Sequence, residues 1–348
     1  MPYATTDVTL GVIVVNYRTP DLALSCIEAL DKTRQAMPRL HCILVDGGSG
    51  DRSPESIVRG LEVSGRETWV HFLPLECNGG FGWANNQAIQ RLLQVDDPPK
   101  YVYLLNPDAT VETDTVQNLI EAMEANPGAG AAGSALIDSF GRHQSSAFRF
   151  PTAASEFFRS ANTPALESLF RRLPFMIDSS ETSSVDWVSG ASLMLRTDAL
   201  CECGLFDEGF FLYFEEVELM HRLGRAGWYT LHVPSSVVRH IGGAATGVTD
   251  GASPTRRLPP YWFVSRRRLF TLLYGRWGAL ASSTAWIAGL FFWRLRQAIG
   301  LGRASSHAPR ELRDLLTTGL LSNRFDRSAA IARVDDPLDR HPAWASRE

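Results

Sequence analysis

Apolar positions in the first 137 residues switch repeatedly between the spacing of a strand and that of a helix. Val8 to Asn16 is a continuous β-rich run, and Pro20-Asp21 then opens a stretch in which Leu22, Cys26, Ile27 and Leu30 recur at helical spacing. His41 to Asp46 reads as a second strand, followed by a helix near Ser53 to Leu61, a strand from Trp69 to Pro74 and a helix from Phe81 to Leu93. Tyr101 to Asn106 is a further strand, and a helix with Val116, Leu119, Ile120 and Met123 inward precedes a strand at Ala129 to Ile137. Such alternation predicts an α/β fold with a mostly parallel sheet flanked by helices.

Beyond this point the pattern loosens. Residues 138–184 mix Ser, Thr, Arg and Phe without clear period and read as loops over a substrate or a poorly ordered excursion. Val185 to Arg196 is a loop carrying Trp187 and Gly190 that leads into a strand. Trp228 to Val233 returns as a strand, and Val237 to Gly243 closes the region.

Between them lies the most carboxylate-rich stretch of the chain. A helix from Leu212 to Arg225 would place Leu212, Glu216, Leu219 and Leu223 on one stripe, so Glu216 points inward. Glu218 and Arg222 fall on another face as an ordinary surface ion pair. An inward carboxylate is costly unless it is paired, hydrogen-bonded or facing a polar cavity, and desolvation moves its pKa toward the range of a general base. The bland reading is a core Glu held by backbone donors.

In parallel sheets ligands collect at the carboxyl ends of the strands. Here those ends read Val15-Asn16-Tyr17, Asp46-Gly47-Gly48-Ser49-Gly50-Asp51 and Asn106-Pro107-Asp108. Each alone is turn chemistry; together they line one edge. Asn78-Gly79-Gly80-Phe81 opens a helix whose free amides suit an anion, so the stretch reads as a nucleotide or diphosphate site. The order of its glycines departs from the dinucleotide fingerprint. His240 ends a strand just before glycines, where an imidazole is either structural or within reach of a metal.

Composition narrows the classes. A 348-residue chain that is 45% hydrophobic folds as one large or two modest domains. Five cysteines without paired CxxC spacing read as reduced thiols in a cytosol, and the opening MPYATTDVTL has no signal-peptide character. With Lys32 and Lys100 as the only lysines, neither after a glycine, a P-loop is excluded. The net charge of −4 hides a segment between Asp250 and Glu311 that has ten arginines and no acid, leaving −14 elsewhere; this split suggests a polyanionic surface as partner.

That segment belongs to a C-terminal helical, basic and aromatic extension, residues 251–348 after a domain of residues 1–250. Trp277 to Trp293 is a 17-residue uncharged run between Arg276 and Arg294, with Ser282, Ser283 and Thr284 at its middle. A spanning helix needs about 20 apolar residues. The run is therefore expected to lie on an anionic membrane surface, or to form a helical hairpin packed on the protein or on a second subunit of a homo-oligomer. Nucleic acid fits poorly beside it.

Taken in order, Val-Asn-Tyr, Val-Asp-Gly-Gly-Ser-Gly-Asp, Asn-Gly-Gly-Phe-Gly, Leu-Asn-Pro-Asp-Ala, Trp-Val-Ser-Gly-Ala and Phe-Asp-Glu-x-Phe-Phe-Leu-Tyr-Phe-Glu-Glu resemble the family 2 glycosyltransferases, and within them the bacterial rhamnosyltransferase-like branch. The resemblance covers about residues 8–250. It implies a GT-A fold and inverting transfer of a sugar from a nucleoside diphosphate donor, dTDP-rhamnose or a UDP-sugar, to a saccharide acceptor; with the C-terminal run on the membrane surface, the expected acceptor is a lipid-linked saccharide presented at the cytoplasmic face. It implies that Asn16, Tyr17 and Asp46 hold base and ribose, with Asp46 accepting from a pyrimidine imide, and that Asn78 and Gly80 line the donor pocket. Asn106-Pro107-Asp108 stands at the place of the Asp-x-Asp metal motif, so Asp108, with His240, would bind Mg²⁺ or Mn²⁺ on the diphosphate. Glu215 and Glu216 match the acidic pair, with Glu216 the base, and Trp187, Ser189 and Gly190 would border the acceptor. Asn106 departs from the first carboxylate of the metal motif, and Gly47 stands where relatives often carry Asn. A catalytically degenerate sugar-nucleotide binding protein is the alternative. A nucleotidyltransferase lacks the Gly-rich basic start such enzymes use.

Overall fold

Side chains alternate across β1 (Leu10–Asn16), and both faces are buried. Leu10, Val12 and Val14 join the core on one side of the sheet and Ile13 the core on the other. The computed structural model describes residues 9–112, 114–163, 176–177, 179–242, 257–301, 307–321 and 330–342. Val8, Gly243, Arg256 and Arg303, used in the sequence reading, lie outside the described residues.

The strands that follow are β2 (Leu40–Asp46), β3 (Val70–Pro74), β4 (Tyr101–Leu105), β5 (Ala109–Val111) and β6 (Ala129–Ile137). The short β7 (His143–Gln144), β8 (Ala147–Phe148), β9 (Ser183–Val185) and β10 (Trp187–Val188) lead to β11 (Ser192–Arg196) and β12 (Tyr229–His240). Their order in the main sheet is β3-β2-β1-β4-β11-β6-β12-β5. The first four are parallel, β11 runs antiparallel between β4 and β6, and β12 is parallel to β6. One face is covered by α1 (Pro20–Ala29), α2 (Asp31–Ala36), α3 (Ser53–Ser64) and, later in the chain, Thr115–Ala125; the other by α4 (Phe81–Leu93) and the helices Thr197–Cys203 and Glu215–Arg225. In chain order these are α5 (Thr115–Ala125), α6 (Ala153–Ala161), α7 (Thr197–Cys203) and α8 (Glu215–Arg225).

A buried file of hydroxyls stitches the sheet where its direction reverses. Ser192 on β11 pairs with Tyr103 on β4 (2.8 Å) and Ser134 on β6 (2.7 Å), and Ser134 pairs with Ser236 on β12 (2.8 Å). The loop expected over 138–184 contains α6, which opens on a capping box between Thr152 and Ser155. The two late strands expected around residue 234 are one strand, β12, with a register shift between Val233 and Val237.

The last long helix, α9 (Pro260–Ala298), breaks at Gly275, where φ is +69°. Arg266 on its first arm donates to Ser283 Oγ on the second (3.3 Å), and Trp262 meets Trp286 edge-on. The arms thus form an antiparallel hairpin. Ala279, Ser282, Ser283, Trp286, Gly289 and Leu290, three and four apart, are the buried stripe of the uncharged run. Gly289 is needed there, because a Cβ would stand 1.9 Å from Ser160 Oγ and 2.5 Å from the Phe157 carbonyl on α6.

Of the arginines expected to face a polyanion, Arg266, Arg267 and Arg268 turn inward, while Arg257, Arg276, Arg294 and Arg310 stay exposed. Arg266, 1% exposed at its side chain, donates through Nε (2.7 Å) and Nη2 to Glu156 Oε2 on α6 and lies between the rings of Phe270 and Trp286. Arg268 pairs with Asp207, Arg257 with Asp314, and Arg267 donates to the Thr318 carbonyl. Their local charge is answered within the fold, which a count of charges along the chain does not reveal. The chain then returns to the sheet: Leu205 N donates to Ala332 O (2.8 Å), Gln90 Nε2 to Arg333 O (2.7 Å) and Trp83 Nε1 to Arg340 O (3.2 Å).

Breaking a buried pair strands one charge in the interior. Arg266→Ala or Glu156→Ala is therefore expected to cost about 3–5 kcal/mol in urea unfolding. Asp97→Ala, at the exposed Arg39 pair, is expected to cost less than about 1 kcal/mol.

Candidate active site

β1 and β2 end in register, Asn16 beside Asp46. Asn16 Nδ2 donates to Asp46 Oδ1 (2.7 Å), as does Ser49 Oγ (2.6 Å), and Ser49 N donates to Asp46 Oδ2 (3.0 Å). Thr19 N in turn donates to Asn16 Oδ1 (3.1 Å). Asn16 and Asp46 are buried, so their first effect is to fasten two strand-end loops together and set the floor of the edge. Tyr17 stands above that floor, half-buried, with the Arg18 guanidinium 5.1 Å from its ring centroid. Ser49 was not singled out by sequence, although the spacing Asp-x-x-Ser is that of a side chain capping its own loop.

The glycines of the 78–82 stretch meet protein rather than open space. Gly80 has φ +87°, and a Cβ there would lie 1.8 Å from the Phe211 carbonyl oxygen. Phe81 N, the first amide of α4, donates to that same oxygen (3.1 Å). One of the amides expected at the helix N-terminus is thus taken by the loop before α8. Asn78 Oδ1 accepts from Gly80 N (3.0 Å) and holds the turn from the outer side.

α8 begins three residues later than the stripe argument placed it. Tyr213 (φ +70°) and Phe214 (φ +73°) are both left-handed, which keeps Leu212 out of the helix and leaves Glu216 in its first turn. Glu215 is buried and Glu216 half-buried, the reverse of an inward Glu216. Burial pushes the Glu215 carboxyl well above its ordinary range, and the neighbouring Glu216 pushes it further. Nor is Glu218–Arg222 a surface pair. Both are largely buried, and Arg222 also donates to the carbonyls of Cys203, Gly204 and Leu205 at 2.7–2.9 Å.

Across the sheet edge, Gln144 Nε2 donates to the His240 carbonyl (3.2 Å), which turns Gln144 Oε1 toward His240 Nδ1 (3.3 Å) and places the ring proton there. His240 Nε2 lies 3.3 Å from Asp108 Oδ1 and 3.3 Å from Asn106 Nδ2. A cation between ring and carboxylate, either a second ring proton or a metal ion, would answer both. Burial works to raise the Asp108 carboxyl, but the His240 hydrogen bond and charge, with the amides of Asp108 and Gly242, outweigh it and hold its pKa below the usual value. Among the described residues no group of three or more His, Cys, Asp or Glu comes together. Asp108 and His240 offer two donors, and a Mg²⁺ or Mn²⁺ held there would take the rest of its shell from phosphate oxygens and water.

The loop before β11 joins these two sides. Asn106 N donates to Ala191 O (3.0 Å), while a Cβ on Gly190 would lie 3.8 Å from the Phe81 ring and 4.0 Å from Glu216 Cβ. Asp108 and Glu216 thus stand on the same edge of the sheet, tied through residues 190–191. Ser189 Oγ accepts from Ala191 N (3.3 Å) inside that loop. Trp187 is set back: its ring stacks on Phe148 at 4.2 Å and its Nε1 donates to Arg149 O (2.9 Å).

Two residues of the Phe-Asp-Glu stretch act at a distance. Asp207, with no exposed surface, accepts from Arg268 Nη2 (2.7 Å), Gly209 N (2.8 Å) and Ala330 N (3.2 Å). Glu208 accepts from Arg340 Nη2 (2.9 Å) and Asn86 Nδ2 (3.2 Å). Their partners lie far along the chain, so no local signal announces them.

A family model described as Glycosyl transferase family 2 matches residues 11–180. The chain is 33% identical over 221 residues to the N-acetylglucosaminyl-diphospho-decaprenol L-rhamnosyltransferase of Mycobacterium tuberculosis, covering 59% of this chain and 67% of that one. It is 29% identical over 161 residues to rhamnosyltransferase WbbL of Escherichia coli, covering 45% and 58%. Among solved structures, the mannosyltransferase PcManGT from Pyrobaculum calidifontis, in complex with GDP-Man and Mn²⁺, shares the fold at a TM-score of 0.52 and 15% identity, over 93% of this chain and 84% of that one. On its ordered motifs, its GT-A-like sheet and these relatives, the chain belongs to glycosyltransferase family 2.

Proposed function

We propose that the chain is an inverting, metal-assisted rhamnosyltransferase that moves rhamnose from dTDP-rhamnose to a saccharide carried on a lipid diphosphate. The observation that carries this reading is the shared edge: Gly190 and Ala191 link Glu216 to the Asn106-Pro107-Asp108 turn. The names of the two rhamnosyltransferase relatives support the choice of sugar, and the name of the first supports a lipid-linked acceptor.

In this reading Glu216 takes the proton of the acceptor hydroxyl as its oxygen attacks C1 of the donor sugar. The bond from C1 to the diphosphate oxygen breaks on the opposite face, the configuration inverts, and the nucleoside diphosphate leaves. Asp108 and His240 would hold the divalent ion, which when bound neutralises the charge gathering on the departing diphosphate. Asn16, Asp46 and Ser49 shape the floor beneath the nucleotide, with Tyr17 beside the base and Asn78 and Gly80 beside the sugar. Glu215, buried and uncharged, leaves Glu216 free to carry the negative charge of the pair. Residues 251–348 serve as an extension on the catalytic domain of residues 1–250.

None of the described helices is long and apolar enough to cross a membrane. The outer face of the second arm of α9 nevertheless exposes Trp277, Phe291 and Leu295 beside Arg276 and Arg294. We place this face against an anionic leaflet, where a lipid-linked acceptor would be presented. Each basic residue near such a surface contributes about 1 kcal/mol.

Three measurements test the proposal. Melting temperature across a panel of nucleoside diphosphate sugars, with and without Mn²⁺, should rise most for dTDP-rhamnose with metal; Glu216→Gln should keep that rise and lose about 10²–10⁴-fold in turnover. Equal turnover in Glu216→Gln would sink the assignment. For Glu215, a pKa raised on folding means stability is full below the unfolded pKa and is lost as pH rises toward the folded one. Glu215→Gln lacks that loss, so its melting temperature should gain on the wild type as pH is raised from about 4 to 8. Finally, the protein should sediment with phosphatidylglycerol vesicles and not with phosphatidylcholine, and Trp277→Asp with Arg294→Glu should abolish it. Sedimentation unchanged in that variant, or loss of a dimer in its place, would remove the membrane assignment.

A further inference from the structure

The floor made by Asn16, Asp46 and Ser49 is buried, and its hydrogen bonds are made within the protein. Tyr17, above it, is in the opposite condition. Among the described residues its half-buried side chain makes no hydrogen bond and no ring–ring contact, and a cation, the Arg18 guanidinium, stands 5.1 Å from its ring centroid. Burial, and then Tyr17, raise the Tyr261 hydroxyl above its ordinary pKa, so Tyr261 borders Tyr17 on the α9 side.

Arg18 is anchored where it stands. Its amide donates to Ser49 Oγ (2.9 Å) and its Nε to Ser49 O (2.9 Å). A hydroxyl that accepts from one amide sends its own proton elsewhere, here to Asp46 Oδ1 (2.6 Å). The series Asp46, Ser49, Arg18 therefore fixes the guanidinium, and a cation held over a ring restrains the ring in turn. The backbone of Arg18 is left-handed (φ +58°), a conformation that a non-glycine residue keeps where its surroundings enforce it. Its side chain reaches toward the loop after β2 and away from β4. In the order β2-β1-β4 those strand ends are two spacings apart, roughly 10 Å. A nucleoside diphosphate laid across them with its phosphates at Asp108 and His240 extends its nucleobase toward the side of Tyr17 and Arg18.

We propose that Arg18 is a positioning residue for the donor, holding the Tyr17 ring as a plate on which the nucleobase stacks and acting on the nucleobase only through that ring; this rests on the glycosyltransferase reading above. A planar heteroaromatic base gains from stacking on an aromatic face. A tyrosine braced by a cation on one face presents the other without giving up a partner. Ser49 then anchors the plate as well as Asp46, so one hydroxyl ties the ends of β1 and β2 into a single nucleoside site.

The test titrates the full chain by calorimetry with dTDP and, separately, with pyrophosphate plus Mn²⁺, in a double-mutant cycle. Tyr17→Ala should weaken dTDP binding by about tenfold or more, and Arg18→Ala by about threefold or more. Pyrophosphate binding should be unchanged in both, which also shows that the variants are folded. Arg18→Ala added to Tyr17→Ala should cost nothing further, because the arginine acts through the ring; a general loosening of the loop would cost dTDP affinity in either background. Unchanged dTDP affinity in Arg18→Ala, an equal loss of pyrophosphate binding, or a further loss in the Tyr17→Ala background would overturn the role of Arg18. A wild-type chain that binds no nucleoside diphosphate would overturn the glycosyltransferase reading and the plate with it, so the wild-type titration tells the two failures apart.

Discussion

A carboxylate with no exposed surface has to have its charge answered from inside the protein, and Asp207 is answered by Arg268. That one contact joins the loop preceding α8 to a helix sixty residues further along. The loop also carries Phe211, whose carbonyl caps α4 above Gly80, so polar contacts join the burial of Leu205, Phe206 and Phe210 in setting its path. Everything at the base end of the edge inherits its position from this joint: the strained Tyr213 and Phe214, the start of α8, and the acidic pair. Glu208 repeats the arrangement with Arg340 from the end of the described chain. The extension thus buttresses this loop, and the two acids that open the Phe-Asp-Glu stretch are both buried against it.

The strain of Tyr213 and Phe214 follows from this. A left-handed conformation costs a non-glycine residue roughly 1–2 kcal/mol, and glycine would remove the cost at either position. Phe214 packs on Trp262 and Tyr213 stacks on Tyr261, so the side chains hold what the backbone resists. The turn brings Glu215 directly to the helix start, where three acids, Glu215, Glu216 and Glu218, sit at the positive end of the α8 dipole.

Much of the sheet half was readable from its pattern. Phe81–Leu93 was placed by its helical spacing after glycines, and Ala129–Ile137 as an uncharged run after Pro127-Gly128. α6 was missed although Thr152-x-x-Ser155 is a capping signal, since its apolar side is shared with aromatic residues that show no clean period. The burial of Glu216 was misjudged because α8 starts at Glu215, which puts Glu216 in a first turn beside the open edge, and the left-handed turn that shortens the helix is written in packing, not in propensity. Arg266 and Arg268 read as surface charge because their partners, Glu156 and Asp207, are 110 and 61 residues away. The convergence of Asn16 with Asp46 and of Asp108 with His240 was foreshadowed by their strand ends, since parallel neighbours finish on one edge.

Adjacent carboxylates of identical chemistry can divide a task only if their surroundings differ. Two ionised groups at 215 and 216 would repel each other, and the one in the drier place yields by keeping its proton. Glu215 is that one: it faces Gly82 and the core side of α8 while Glu216 faces Gly190 and the open edge. The left-handed turn at Tyr213 and Phe214, held by rings from the C-terminal hairpin, starts α8 at Glu215 and so leaves Glu215 packed on the core and Glu216 in the first turn at the open edge.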